Sequence, residues 1–199
     1  MEKQLIISVG REFGSGGHVI AEALAKEFEL PLFDQNLLEC IAKEKNVSQE
    51  TLKKFDEKQR NVFASRTVKG YSSSPQEHLA QMQFEFLKNM ANRGESFVIV
   101  GRCAESVLKE FEGMVSIFVL GDKGCKQKRV QEVYQVSAEE AQHMMEKKDS
   151  GRKHYHNSYC KSKWGNSRSY DICINSSKMG VEGTAKILAE YIRARRENK

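Results

Sequence analysis

The sequence predicts an α/β fold in which a parallel sheet carries helices on both faces. Three observations predict it. Leu5-Ile6-Ile7-Ser8-Val9 is an apolar run, the pattern of a strand buried on both sides. A glycine-rich segment, Gly10 to Gly17, follows it directly. Apolar residues at 19, 20, 23, 24 and 28 then recur at helical spacing. Strands and helices alternate along the rest of the chain, which argues for parallel strands joined by right-handed crossovers.

The later elements follow in order. Pro31-Leu32-Phe33 reads as a short strand ending at Asp34, and residues 35–45 read as a helix. Ser48, with Gln49 and Glu50 behind it, is a start signal for another helix. Residues 60–76 read as an exposed loop, and an amphipathic helix follows over 77–92. Phe97–Val100 is a second buried strand, running straight into Gly101-Arg102. A helix is expected at 103–111 and a strand at Met114–Leu120. Ser137-Ala138-Glu139-Glu140 has capping-box spacing and starts a helix over 138–148. Residues 149–168 are polar, basic and aromatic without a helical stripe. Tyr170–Asn175 is a weaker last strand, and Gly180 to Arg196 a closing amphipathic helix.

The 199 residues suit one domain, with 39% hydrophobic and 30% charged residues giving both a core and a solvated surface. No apolar run is long enough to span a bilayer. The N-terminus enters its strand with no signal-peptide layout. The cysteines at 40, 103, 125, 160 and 173 are odd in number, scattered, and form no C-x-x-C pair. That excludes a disulfide scaffold and points to a cytoplasmic protein. His154, His156 and Cys160 match no common zinc spacing, so no metal site is expected. Cys103 has no base near it in sequence and reads as packing.

The net charge is +5, and its position is more informative than its size. Residues 147–168 hold seven Lys and Arg against Asp149 alone, a net +6 that leaves the rest of the chain at −1. The same stretch carries His154, Tyr155, His156, Tyr159 and Trp164. It reads as a functional segment such as a lid, although a solvated basic loop or a single-strand nucleic-acid grip has the same composition.

Gly10-Arg11-Glu12-Phe13-Gly14-Ser15-Gly16-Gly17-His18 lets the backbone curl with N–H groups inward, at the positive end of the following helix. That is an anion site suited to phosphate. Two nucleotide motifs compete here and neither is complete. The dinucleotide pattern G-x-G-x-x-G fits Gly14 and Gly16, but position 19 is Val; Asp34 stands where its ribose acid would be. The phosphate-loop pattern G-x-x-x-x-G-K-[ST] fits Gly14-Ser15-Gly16, but Gly17 replaces lysine and His18 the hydroxyl residue. Gly10 and Gly101 both follow strand ends, so their loops should converge with Arg11, Arg102 and Asp34 on one rim. Asp34 reads equally as a helix N-cap. Glu12 either approaches this site or pairs with a basic neighbour, and Asn175 either touches a ligand or closes a turn.

Val98-Ile99-Val100-Gly101-Arg102, the loop Gly14-Ser15-Gly16-Gly17-His18-Val19-Ile20-Ala21, Phe33-Asp34, and Trp164 with the run Tyr170–Ser177 occur in one order. Together they resemble the cytidylate kinase-like family. The resemblance implies a P-loop NTPase-type three-layer α/β/α fold with a parallel sheet of about five strands and a basic lid. It implies phosphoryl transfer from ATP, with Mg²⁺, to (d)CMP or another nucleoside monophosphate. Asp34 would open a monophosphate-binding segment over about 34–92, and the lid would span about 147–168. Arg102 matches the arginine of the family's Gly-Arg-Asp, with Cys103 in place of the acid. Arg129 falls on the helix leading into the lid, and Asp149 with Arg152 matches a lid element that holds the ribose of the monophosphate.

Phosphoryl transfer requires alignment and neutralised charge, which guanidinium forks supply. The expected catalytic cations are Arg11, Arg102 and Arg152, with Arg129 and Lys153 beside them in the lid. Arg11 is expected either to replace the missing lysine or to be a solvated loop residue. A rival reading keeps the fold and phosphate binding without transfer. The expected partners are ATP and a nucleoside monophosphate, with no membrane and with nucleic acid disfavoured.

Overall fold

The computed structural model describes residues 3–34, 36–45, 48, 50, 67–68, 71–72 and 75–198. The helix start at Ser48 and the loop at 60–76 lie largely outside the described residues. The strands are β1 (Ile6–Arg11), β2 (Leu32–Phe33), β3 (Thr67–Val68), β4 (Tyr71–Ser72), β5 (Phe97–Val100), β6 (Met114–Leu120) and β7 (Ile172–Asn175). The helices are α1 (Gly17–Glu27), α2 (Leu37–Lys45), α3 (Pro75–Asn92), α4 (Ala104–Val107), α5 (Lys123–Tyr134), α6 (Ala138–Tyr159) and α7 (Gly180–Glu197).

Five strands form one parallel sheet in the order β2-β5-β1-β6-β7, and β3 pairs only with β4, antiparallel. Central β1 explains the apolar run that opens the chain. Ile7 and Val9 face α1 and α7, packing on Ile20, Leu24, Leu188 and Ile192. Ile6 points the other way, with Phe97 and Ile99, onto Leu37, Ile41, Leu87 and Met90 of α2 and α3. Both faces are covered, so alternation disappears from the sequence. A third small core of Phe13, Val130, Ala141 and Met145 fastens α5 and α6 to the glycine loop.

Asp171 holds the edge strand β7 in place. Its Oδ2 accepts from the Ser116 backbone N–H at 2.7 Å, the Ser116 hydroxyl at 2.9 Å and Arg195 Nη1 at 2.9 Å. Asn175 closes the strand's far end. Its Oδ1 accepts from Ser177 N and its amide donates to Asp122, so the turn reading holds.

Two sequence expectations fail. The helix expected at 103–111 is a single turn, α4, because Arg102 and Cys103 both take left-handed backbone (φ 58° and 55°) and delay its start. The helix expected to stop at 148 continues through Tyr159, so more than half of the supposedly irregular lid is α6. Its inward face does follow helical spacing, through Ala141, Met145, Arg152 and His156. The second half of that stripe is polar because it faces a cavity, and a search for apolar periodicity passes over it.

Leu188 is fully buried between α1 and the sheet. Leu188→Ala should lower unfolding free energy by about 2–5 kcal/mol, read as an earlier midpoint in urea with an unchanged slope; a loss under 1 kcal/mol would contradict this packing.

Candidate functional site

The carboxyl ends of β1, β2 and β5 share one rim, where open α/β sheets bind ligands. A cavity of about 890 Å³ opens there, bounded by the glycine loop, Asp34, Gly101-Arg102 and the inward face of α6. That volume is in the range of small-molecule sites.

The loop is shaped by its glycines. Gly14 and Gly16 have φ of 80° and 79°, which side chains rarely tolerate. Ser15 faces away from the cavity: its hydroxyl donates to Glu12 O at 2.8 Å and accepts from Gly17 N at 3.3 Å, and its carbonyl takes the Ser176 hydroxyl at 2.5 Å. Its place in the phosphate-binding set therefore reduces to loop structure. Glu12 borders the cavity and accepts from Lys126 Nζ at 2.8 Å and Gly121 N at 3.1 Å. Pairing with a basic neighbour and standing beside the site are both observed.

Arg11 crosses the cavity floor. A Cβ on Gly17 would stand 2.5 Å from Arg11 Cβ, and one on Gly101 would stand 2.5 Å from Arg11 Nη1. The arginine therefore runs through space that both glycines leave empty. Its Nε is buried without a hydrogen-bond partner. Burial first, then repulsion from Arg152 and Arg102, push its pKa down from 12.5 to about 9; Asp34 and Asp149 pull the other way. A guanidinium stays charged at neutral pH. The depression therefore expresses first the cost of burying the guanidinium and then its repulsion from two neighbouring arginines, and an anion bound beside them would offset both.

Arg102 follows Gly101 in a run of three left-handed residues ending at Cys103. Such backbone costs of order 1–3 kcal/mol per non-glycine residue and concentrates at functional sites. Its Nη1 reaches Gln83 Oε1 at 3.4 Å, an oxygen that also accepts from the Tyr155 hydroxyl at 3.3 Å.

Helix α6 is docked on the loop. Arg152 Nη1 donates to Arg11 O at 3.2 Å, and its guanidinium lies 5.5 Å from the Phe13 ring centre. Asp149 points at the loop backbone instead of the cavity, accepting from Phe13 N at 2.6 Å, with Arg152 at 3.5 Å and Lys126 at 3.9 Å. Burial pushes its carboxyl upward, while the Phe13 N–H and the two cations pull it down. Lys153 is exposed and does not line the cavity. Arg129, from α5, borders the cavity and braces the loop by donating to Gly14 O at 2.7 Å.

His18 opens α1 with its Nε2 3.4 Å from Glu22 and 3.6 Å from Asp34 Oδ2. Asp34 stands on the cavity wall but does not cap α2, which begins at Leu37. Its Oδ1 accepts from Asn36 N at 3.1 Å ahead of the helix, and its other oxygen faces His18.

Some cavity residues were not legible in the sequence. Tyr134 stacks on Phe13 at 5.6 Å between ring centres and is half exposed beside exposed Val133. An apolar pair at the end of a weakly amphipathic helix was the only available signal. Buried Glu105 joins the polar wall from α4, and buried Gln83 of α3 stands behind it, bonded to the lining residues Arg102 and Tyr155. Cys103 is not mere packing: its thiol bonds Cys160, whose pKa is pulled down to about 5 by that bond, against burial, with His156 and Ser106 adding to it. For His156, burial opposes charge, but bonds to Cys160 and Glu105 outweigh it and push the pKa up to about 10.

A parallel sheet whose first strand passes through a glycine loop into a helix, with arginines from neighbouring strand ends, defines a P-loop kinase fold. The model of the cytidylate kinase-like family matches residues 6–178, and the chain belongs to that family. It is 41% identical to an uncharacterized protein from Eubacterium ventriosum over 96% of this chain and 99% of that one, with a TM-score of 0.76. Shikimate kinase from Bacteroides thetaiotaomicron shares the fold at 12% identity, 95% and 98% coverage and a TM-score of 0.54. Shikimate kinase from Aquifex aeolicus does so at 14% identity, 98% and 100% coverage and a TM-score of 0.50. No curated protein matches the chain. Among the described residues no helix is long and apolar enough to cross a membrane.

The convergence of three guanidiniums gives a direct test. Inorganic phosphate at ten times its Kd should stabilise the protein by about 1.4 kcal/mol, a Tm rise of roughly 3–6 °C. Arg11→Ala should abolish the shift; a shift that survives in this variant places the anion elsewhere.

Proposed function

We propose that the chain is a phosphotransferase that moves the γ-phosphoryl group of ATP to a nucleoside monophosphate, (d)CMP or another. The observation that carries the reading is the course of Arg11 over Gly17. It brings a fixed cation to the glycine loop from the opposite end of the loop, where the motif's lysine is missing. Arg102 and Arg152 supply the second and third cations. A phosphate oxygen of the monophosphate attacks the γ-phosphorus in line, the bond to the β-phosphate oxygen breaks, and ADP leaves. Fixed guanidiniums lower the barrier by neutralising charge on the transferring group without reorganising.

Mg²⁺ entering with ATP would meet the Asp34 carboxylate, a hard oxygen donor facing the cavity, and would neutralise phosphate charge; His18 is not a ligand this cation favours. Residues 34–92 are read as the monophosphate segment and 147–168 as the lid, whose Lys148 and Arg152 border the cavity. Asp149 acts in this reading by holding Arg152 and the loop together. Cys103, in the place of the family's acid, leaves cytosine preference without its usual partner. Five free cysteines accord with a reducing cytoplasm.

A second reading, nucleotide binding without transfer, is favoured by Gly17 and His18 standing where the motif has lysine and a hydroxyl. Diphosphate formation from ATP, Mg²⁺ and each nucleoside monophosphate decides between them. Product with one monophosphate, reduced by roughly 10²–10³-fold in kcat by Arg102→Ala, supports transfer. A nucleotide-induced Tm shift without product supports binding alone.

The Arg11 assignment predicts a compensation. Gly17→Lys alone should lose activity and lower Tm, because the new Cβ meets Arg11. Arg11→Ala/Gly17→Lys should regain part of what Arg11→Ala loses. A double variant no better than Arg11→Ala would remove Arg11 from the lysine's role.

A further inference from the structure

A cluster of metal-ligating side chains lies where α6 meets the loop after β5, beside the arginines. Glu105, His156 and Cys160 present ligand atoms that all lie within 4.8 Å of one another. Cys103 stands beside Cys160 as its hydrogen-bond partner, outside the set. The His156 and Glu105 side chains are enclosed, 5% and 3% exposed, and Cys160 is half-buried. Ionisable groups buried to this degree are retained in proteins when they are paired or bind a metal.

The surroundings hold the ligands in orientation. His156 Nδ1 lies 3.5 Å from Asn157 Oδ1, an oxygen fixed by the Trp164 N–H at 2.9 Å. That leaves Nε2 aimed at Glu105 Oε1, 2.6 Å away. The Ser106 hydroxyl donates to the same carboxylate oxygen at 3.1 Å. Partners of this kind, on the far nitrogen of a histidine and on a carboxylate, are what orient the ligands of metal sites.

We propose that Glu105, His156 and Cys160 hold a zinc ion that joins α6 to the β5 loop, with the fourth position taken by water. One sulfur, one imidazole nitrogen and one carboxylate oxygen are a donor set for zinc, and the thiolate selects against Mg²⁺ and Ca²⁺. The 2.6 Å separation of Nε2 and Oε1 is that of a shared proton. On one zinc ion, at bond lengths of 2.0–2.1 Å, the two atoms would stand roughly 3.4 Å apart. Zinc therefore takes the place of that proton, and these two atoms separate by less than an ångström. The Cys160 thiol proton and the shared proton leave to solvent, so binding releases protons.

Sequence spacing could not reveal the site. His156 and Cys160 are one helical turn apart, while Glu105 arrives from α4. His154, the other histidine of that stretch, is exposed and takes no part. The consequence of the site is positional. Arg102 stands three residues before Glu105, and Arg152 lies one turn before His156, so zinc fixes the separation of two guanidiniums. The inference does not depend on phosphotransfer.

The test uses the full chain, reduced and freed of metal with a chelator, then titrated with Zn²⁺ against a chromophoric competitor. One equivalent should bind, and Co²⁺ in its place should show thiolate-to-cobalt charge transfer. Cys160→Ser should weaken zinc at least 100-fold, and Asn157→Ala, which leaves all three ligands in place, roughly 10-fold. Far-ultraviolet circular dichroism and the Tm without zinc report that each variant is folded. Failure of the reduced protein to bind one equivalent, a cobalt spectrum without charge transfer, or unchanged affinity in Cys160→Ser overturns the proposal.

Discussion

The site is organised by the steric relation between one arginine and two glycines. Arg11 leaves the end of the central strand, passes over Gly17 and ends against Gly101. A methyl group at either glycine would collide with it. The P-loop and the β5 loop are thus shaped around the same guanidinium. A side chain at position 17 and the course of Arg11 exclude one another.

The same economy governs α6. A lid rich in cations would be repelled by the arginines it approaches unless carboxylates lay between them. Asp149 answers the Phe13 N–H, Arg152 and Lys126 at once, and Glu12 takes Lys126 from the other side. These contacts, with the small core of Phe13, Val130, Ala141 and Met145, join α6 and the loop into one wall. Of the basic stretch, Lys148 and Arg152 border the cavity.

Much of this was legible in the sequence, and the failures have physical causes. Buried strands announce themselves by apolar runs, so β1, β5 and β6 were readable to within two residues. The convergence of Arg11, Arg102 and Asp34 followed from strand ends sharing a rim. The length of α6 was missed because its inward residues beyond Met145 are chosen for the cavity and not for a core. The one-turn α4 was missed because left-handed backbone at two non-glycine residues leaves no mark on composition. Ser15, Asp149 and Lys153 were placed nearer the ligand than they stand: proximity in sequence to a loop says nothing about which way a side chain turns. Glu105 and Gln83 had no local signal at all, since only the packing of α4 and α3 brings Glu105 to the wall and Gln83 behind it.

The pairing register of β1 bears on how the chain is made. Ile6 lies between Phe97 and Met114, and no strand nearer in sequence touches β1. At translation rates of 5–20 residues per second, the central strand of the sheet waits on the order of 5–20 s for its first partner. Non-local pairings of this kind are slow to form and expose unpaired edges in the meantime. A nascent chain of this topology therefore emerges with its central strand foremost and unprotected. That favours engagement by a holding chaperone until β5 has been synthesised.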